Sequence, residues 1–477
     1  MSPSARQLRG PARWLAALAT SSLLFSTTQA QQYYKIDTIE EIKESARTLA
    51  YDLMLFYKGN QSGEIPGILP GPPTEHKGDY YWWEGGAMMG TYVDYWFLTR
   101  DPSYNHVVME GMLHQVGPNA DYMPPNHTAS LGNDDQGFWG MSAMLAAENK
   151  FPNPPEDQPQ WLALAQAVFN TQAAPERHDG TCNGGLRWQV PPTNAGYNYK
   201  NTIANACFFD LGARLARYTK NETYANWANN IFDWLMGVGY IDTKESGWRV
   251  YDGAHVEHNC TDINKAQFSY NAALLLHGAA FMYNYTNGEE KWKTRIDGLI
   301  EGILRDFFKD GAAFELPCES RQGACTTDML SFKGYMHRWM AVVTKVAPYT
   351  AEKILPVLRT STEAAVAQCT GPPTGRRCGF YWSTRQYVDT AVDKTSGAGE
   401  AMNVLAAVSS LLIEYADPPA TNETGISRGD PNAGSRSWGP SEPLEPITGS
   451  DRAGASIITL LILGSALGTW GWMSLGD

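Results

Sequence analysis

Two adjacent carboxylates, Asp134 and Asp135, follow Gly132-Asn133 and open a stretch, 136–148, that is apolar on nearly every side. Cutting a glycosidic bond takes two carboxyl groups, one protonated for the leaving oxygen and one ionised, and enzymes that retain the sugar's configuration hold them about 5–5.5 Å apart. Neighbouring residues on a helix point about 100° apart, so their carboxyls can reach that separation. Mutual repulsion raises the proton affinity of the pair, leaving one acid and one base that titrate as a unit. A helix N-terminus favours the ionised partner. The same residues also make an ordinary helix start, because Asp is a preferred N-cap and acids are common in a first turn. A third reading, the magnesium-binding aspartate motif of terpenoid synthases, lacks its further acid: Phe138 stands there.

Whatever positions this pair must be helical. Residues Ile39, Ile42, Ala46, Leu49, Leu53 and Tyr57 mark a one-faced helix over 37–57, and similar stripes fall near 103–116, 159–172, 222–238, 289–308 and 350–368. Between them lie Ala- and Gly-rich helices, apolar all round, that begin near 82, 134, 201, 264, 328 and 397. A helix apolar on every side belongs inside a protein and a striped one belongs outside. The outer–inner alternation occurs six times, and periodicity of this kind means a closed or stacked array. The expected fold is all-α, an (α/α)6 barrel of six inner and six outer helices, with an open superhelix as the structural alternative. Strand patterns are confined to pieces such as Leu186–Val190 and Trp248–Tyr251.

In a closed barrel all inner helices start on one face, so their lead-in segments converge there. These are Tyr80–Glu84, Gly132–Gln136, Asn198–Asn201, Thr261–Lys265, Cys325–Asp328 and Thr395–Glu400. A cup of aromatics, amides and carboxylates suits a neutral sugar, since ring faces stack on pyranose C–H surfaces and polar side chains bind hydroxyls.

The ends of the chain predict export. Arg6, Arg9 and Arg13 precede an apolar run from Trp14 to Phe25 and the small-residue site Thr28-Gln29-Ala30, the pattern of a signal peptide spanning 1–30. From Ala455 to Leu475 the chain is again almost wholly apolar, with only Gly476-Asp477 beyond it. Behind Gly449-Ser450 and a Pro/Ser/Gly-rich stretch from Pro418 to Pro446, this reads as a GPI signal with attachment expected at Gly449. The expected layout is a catalytic domain over 31–416, a stalk with the attachment region over 417–450, and a removed tail over 451–477. Secretion to the outer face of the plasma membrane and the cell wall follows.

A net charge of −13 with no basic block argues against nucleic acid as a partner. In an oxidising compartment most of the seven cysteines should pair. Cys318–Cys325 and Cys369–Cys378 are expected as local bridges, Cys182–Cys260 as a third, and Cys207, inside an apolar helix, as a buried free thiol. No spacing supports a metal site, and His255 and His258 read as surface residues, so no metal or cofactor is expected. Sequons at Asn60, Asn126, Asn221, Asn259, Asn284 and Asn422 predict N-glycosylation.

Four segments in order, Trp82–Ala87, Gly132–Trp139, Cys182–Trp188 and Tyr197–Thr202, resemble glycoside hydrolase family 76, in particular its fungal cell-wall branch of mannan endo-1,6-α-mannosidases. The resemblance spans roughly 33–415. It implies that Asp134 is the nucleophile and Asp135 the general acid/base. Trp82 and Trp83 would be stacking faces, Glu84 a hydroxyl acceptor, Asn133, Asn201, Asn205 and Gln267 amide ligands, and Asp328 and Lys333 the far wall. It further implies a monomer acting on α-1,6-mannose, with transfer from GPI-anchored wall proteins to a glucan acceptor as the task of its fungal members. A non-catalytic mannan-binding wall protein fits the same cup and stays open on sequence alone.

Overall fold

The computed structural model describes residues 33–393, 397–434 and 449–474. The expected signal peptide at 1–30, Thr395 and Ser396, and most of the expected attachment region lie outside these residues.

Outer helix α1 (Ile39–Met54) starts where Thr38 and Glu41 cap each other's backbone amides, and it buries Ile42, Ala46, Leu49, Ala50 and Leu53. The remaining outer helices are α3 (Asn105–His114), α5 (Trp161–Ala173), α7 (Glu222–Gly237), α9 (Glu290–Asp306) and α11 (Ala351–Ala367). In α9 the stripe Trp292, Ile296, Leu299, Ile300 and Ile303 faces inward while Lys291, Lys293 and Glu301 stay outside.

The inner helices are α2 (Trp82–Thr99), α4 (Asn133–Glu148), α6 (Thr202–Thr219), α8 (Ser269–Tyr285), α10 (Phe332–Val346) and α12 (Ala398–Ser410). Each packs on the next in this order, and α12 packs on α2, so the ring closes as the (α/α)6 barrel expected. Two inner helices begin later than their sequence pattern predicts. Asn264 is taken up by backbone pairing with Gly253 and Asp252, which delays α8 to Ser269, where Glu315 caps the amide and hydroxyl. Ahead of α10, Asp328–Ser331 forms a 3-10 turn.

Short antiparallel pairs dress the loops: β1 (Tyr199–Asn201) with β4 (Gly253–His255), β2 (Ile241–Asp242) with β3 (Arg249–Val250), and β5 (Phe308–Lys309) with β6 (Ala312–Ala313). The expected strand at Leu186–Val190 is a single bridge, Gln189 to Gly132.

Buried charges lock the barrel away from the inner-helix starts. Arg214 joins Glu148 and Asp210, His277 Nδ1 meets Asp210 at 2.7 Å, and Arg338 joins Asp94. Asp94, Arg214, His277 and Arg338 line an axial cavity of ≈ 30 Å³. Removing one member of such a cluster costs far more than the intact cluster contributes.

All three expected disulfides form, and Cys207 is free and buried. Five sequon asparagines are exposed. Asn284 differs: it is half-buried, accepts from Arg217 and donates its amide to Val346 O at 3.1 Å, so a glycan there would break a packing bond.

The segment read as the start of a stalk is held to the barrel wall. Ala420 and Asn422 amides bond to Glu148 and Tyr218 carbonyls, Ser427 Oγ accepts from Leu162 N, and Asn170 donates to Pro431 and Ala433. This strap climbs α5 as far as Gly434. Beyond it lies α13 (Gly449–Ser474), whose Ile457, Leu460, Leu461 and Trp470 are exposed. Among the described residues no helix is long and apolar enough to cross a membrane.

Candidate active site

The six inner-helix starts gather on one face, and Asp134 and Asp135 sit there in the first turn of α4. Asp135 Oδ2 accepts from the Gly132 amide at 2.7 Å, closing the helix start on itself. Asp134 Oδ2 accepts from Trp188 Nε1 at 2.9 Å, while its Oδ1 is buried without a partner. A side chain at 132 would not fit, since an added Cβ would lie 2.3 Å from Asp134 Oδ1.

Burial and the adjacent Asp135 charge push the Asp134 carboxyl well above the ordinary aspartate range. Burial pushes Asp135 up to about 6, with a further contribution from Asp328. The two titrate together, and the pair holds its last proton well beyond the ordinary aspartate range. Neighbouring groups bias where the charge rests. Asp134 accepts from the Trp188 indole and Asp135 from the Gly132 amide, each of which favours the anion it meets, and Asp135 also faces the charge of Asp328. The Trp188 donor thus stabilises an anion on Asp134, and the Asp328 charge opposes one on Asp135.

Asp328, half-buried in the 3-10 turn before α10, accepts from Trp83 Nε1 at 3.0 Å. Trp83 in turn packs on Phe138 and Tyr335, with ring centroids 4.6 and 6.0 Å away. These rings form the floor under the carboxyl pair. Tyr270 lies flat on Phe332 at 3.8 Å, and burial together with the charges of Asp252, Asp134 and Asp328 pushes its phenol well above the usual range. Asp252 accepts from Tyr199 and Asn264 beside it.

Several expected sugar ligands are buried and bonded within the fold. Glu84 is fully buried, its Oε2 accepting from the Tyr81 amide, and burial and Asp328 hold its carboxyl well above the ordinary range. Asn133 bonds Arg187 O and Arg177, Asn201 caps α6 through the Ala204 amide, and Asn205 clasps both backbone groups of Leu186. Trp82 is tied to Gln115, stacked on His127 and tilted against Trp139. Lys333 does not line the cup: it is fully buried, paired with Glu319 at 2.7 Å and bonded to Phe380 O. Gln267 is half-buried in the loop before α8. Trp83, Asp328 and the two aspartates do come together. Trp188 and Tyr270, which sequence reasoning did not assign, join them, and the only sequence signal for Trp188 was its place in the glycine-rich run Cys182–Trp188.

A closed ring of paired helices carrying two carboxyls at its mouth is the architecture of a glycoside hydrolase. The description "Glycosyl hydrolase family 76" matches residues 41–423, and the chain belongs to that family. It is similar to the mannan endo-1,6-alpha-mannosidase DCW1 of Eremothecium gossypii, 41% identical over 92% of this chain and 94% of the relative. Among solved structures it is similar to Dfg5 from Chaetomium thermophilum in complex with glucosamine, 84% identical, TM-score 0.84, covering 86% of this chain and 99% of that one. An inactive double Asp-to-Asn variant of a Salegentibacter α-1,6-mannanase with α-1,6-mannotriose shares the fold: 16% identity, TM-score 0.60, covering 78% of this chain and 99% of that one.

Proposed function

We propose that this enzyme is a retaining α-1,6-mannosidase or transglycosidase that acts on mannan or the GPI glycan in fungal cell-wall assembly. The observation that carries the reading is the half-buried Asp134–Asp135 pair, with the Trp188 indole donating to Asp134 and the Asp328 charge bearing on Asp135. The Asp134 carboxylate attacks the anomeric carbon, and the glycosidic C–O bond breaks as Asp135 gives its proton to the leaving oxygen. Asp135 then takes a proton from the second reactant as its oxygen attacks the same carbon and releases Asp134. Water yields hydrolysis, and a glucan hydroxyl yields transfer. The names of the relatives and the mannotriose held by the Salegentibacter protein support α-1,6-mannose as the sugar. The apolar ends of the chain support secretion and GPI anchoring at the outer face of the plasma membrane and wall.

Mass spectrometry with an activated α-mannoside should find a mannosyl adduct on Asp134. An adduct elsewhere, or turnover by Asp134→Asn, sinks the assignment. Incubation with a GPI-glycan donor and a glucan acceptor separates the two outcomes, since mannose-ended product without any joined product rules out transfer.

A further inference from the structure

Trp188 reaches the carboxyl pair from outside α4. Its Nε1 donates to Asp134 Oδ2 at 2.9 Å across 54 residues of sequence. The backbone fixes the ring's position from both sides: the Trp188 amide donates to Tyr199 O at 2.7 Å, and the Asn133 amide donates to Trp188 O at 2.8 Å. Loop and helix start therefore move as one body. Gly196, at φ +90°, lies against the six-membered ring, where an added Cβ would sit 2.5 Å from Cε3. Trp139, Trp161, Trp292 and Trp382 are sealed in the core, whereas Trp188 remains 36% exposed at the mouth of the cup.

We propose that Trp188 both positions Asp134 through its N–H and offers its open ring surface to a sugar of the substrate. The proposal rests on the reading of Asp134 as nucleophile. An indole N–H can only donate, so it favours the carboxylate that accepts it over the protonated acid. It also fixes which oxygen is tied down, leaving the rest of the carboxylate to be aimed. An exposed indole beside a reacting carbon is a natural stacking surface for pyranose C–H groups, and here one side chain couples that surface to the nucleophile.

The test compares Trp188→Phe, which keeps a ring and loses the N–H, with Trp188→Ala, which loses both, using α-1,6-mannotriose across a pH series. Trp188→Phe should lower kcat about 10- to 100-fold, the factor for one lost bond to a charged group, with KM little changed. Its acid limb should move to higher pH, because the Asp134 anion has lost a donor. Trp188→Ala should raise KM as well. Unchanged kcat and acid limb in Trp188→Phe overturn the positioning role, and unchanged KM in Trp188→Ala overturns the platform. Asp134→Asn in the same assay separates this from the parent reading: if it still turns over, the nucleophile assignment has failed, whatever Trp188 does. Should either Trp188 variant fold poorly, quenching of tryptophan fluorescence by mannotriose in Asp134→Asn gives a second readout, and an absent quench counts against the platform.

Discussion

Trp83 donates its indole N–H to Asp328 Oδ1 at 3.0 Å, a bond that joins the first turn of α2 to the turn before α10 across 245 residues of sequence. It holds the Asp328 carboxylate on the side of the cup where its charge bears on Asp135.

That arrangement lets Asp328 shift the basic limb of an activity profile that burial of Asp135 sets first. Asp135 must be protonated to act as the acid, and burial with Asp328's help holds its proton up to about 6. Turnover should therefore decline as pH rises above about 6, since the neighbouring Asp134 charge holds the Asp135 proton further still. Asp328→Asn keeps an acceptor for Trp83 but removes the charge, so Asp135 releases its proton earlier and the limb of kcat/KM moves to lower pH. A limb that stays in place contradicts the coupling.

The same proton affects stability. The folded carboxyl of Asp135 is raised above its unfolded value of about 3.9, so the folded state binds more protons between about 3.9 and 6. This group's contribution is thus fully present below that window and is lost as pH rises through it. Asp135→Asn should melt higher than the parent at pH 7 while losing turnover, and the gap should shrink at pH 4. Calorimetry at the two pH values decides it.

Lys333 should behave as a structural residue. Lys333→Ala leaves Glu319 charged and unpaired in the interior, at a cost of about 3–5 kcal/mol. Lys333→Met combined with Glu319→Leu should recover most of that loss. Denaturant titration reads both; a stable Lys333→Ala protein with a raised KM would return Lys333 to the sugar site.

Cys182–Cys260 ties the loop carrying Trp188 to the turn after β4, closing 78 residues. Replacing both cysteines by serine should cost about 2–4 kcal/mol and lower kcat/KM beyond what Cys369→Ser with Cys378→Ser does, because only the first bridge braces the mouth. Equal kinetic effects from the two removals would count against that bracing.

The strap makes a prediction about truncation. A chain stopped after Ala416 loses Pro419 and Ala420 as acceptors for buried Arg217, together with the Ala420–Glu148 bond. It should unfold several degrees below a chain stopped after Gly434, which should match the full-length protein. Indistinguishable melting curves would show the strap to be ornamental.

The barrel was legible because burial on every side and burial on one side leave different residue patterns, and Asp134–Asp135 stood out because chemistry needs a pair. The partner of a lone polar residue was not legible. Asn205 at an inner-helix start looks the same whether it meets a sugar or, as here, the backbone of Leu186 nineteen residues earlier. Lys333 is matched by Glu319 in a loop, not by the nearer Asp328. Trp188 escaped for the converse reason, since its target lies 54 residues upstream and nothing local marks it. The helices at 264 and 328 were placed early because local composition does not show that Asn264 is spent on a hairpin.

The contact of α12 with α2 and α1 means that the earliest and latest parts of the domain meet at one seam. A chain growing from its N-terminus completes five-sixths of the wall before the closing stave exists, and contacts so distant in sequence form slowly. Until residues 398–410 arrive, the first inner helix has an uncovered flank, which must be shielded from other chains during synthesis. Catalytic competence is therefore set by the last inner helix made, although the carboxylates themselves are among the early residues.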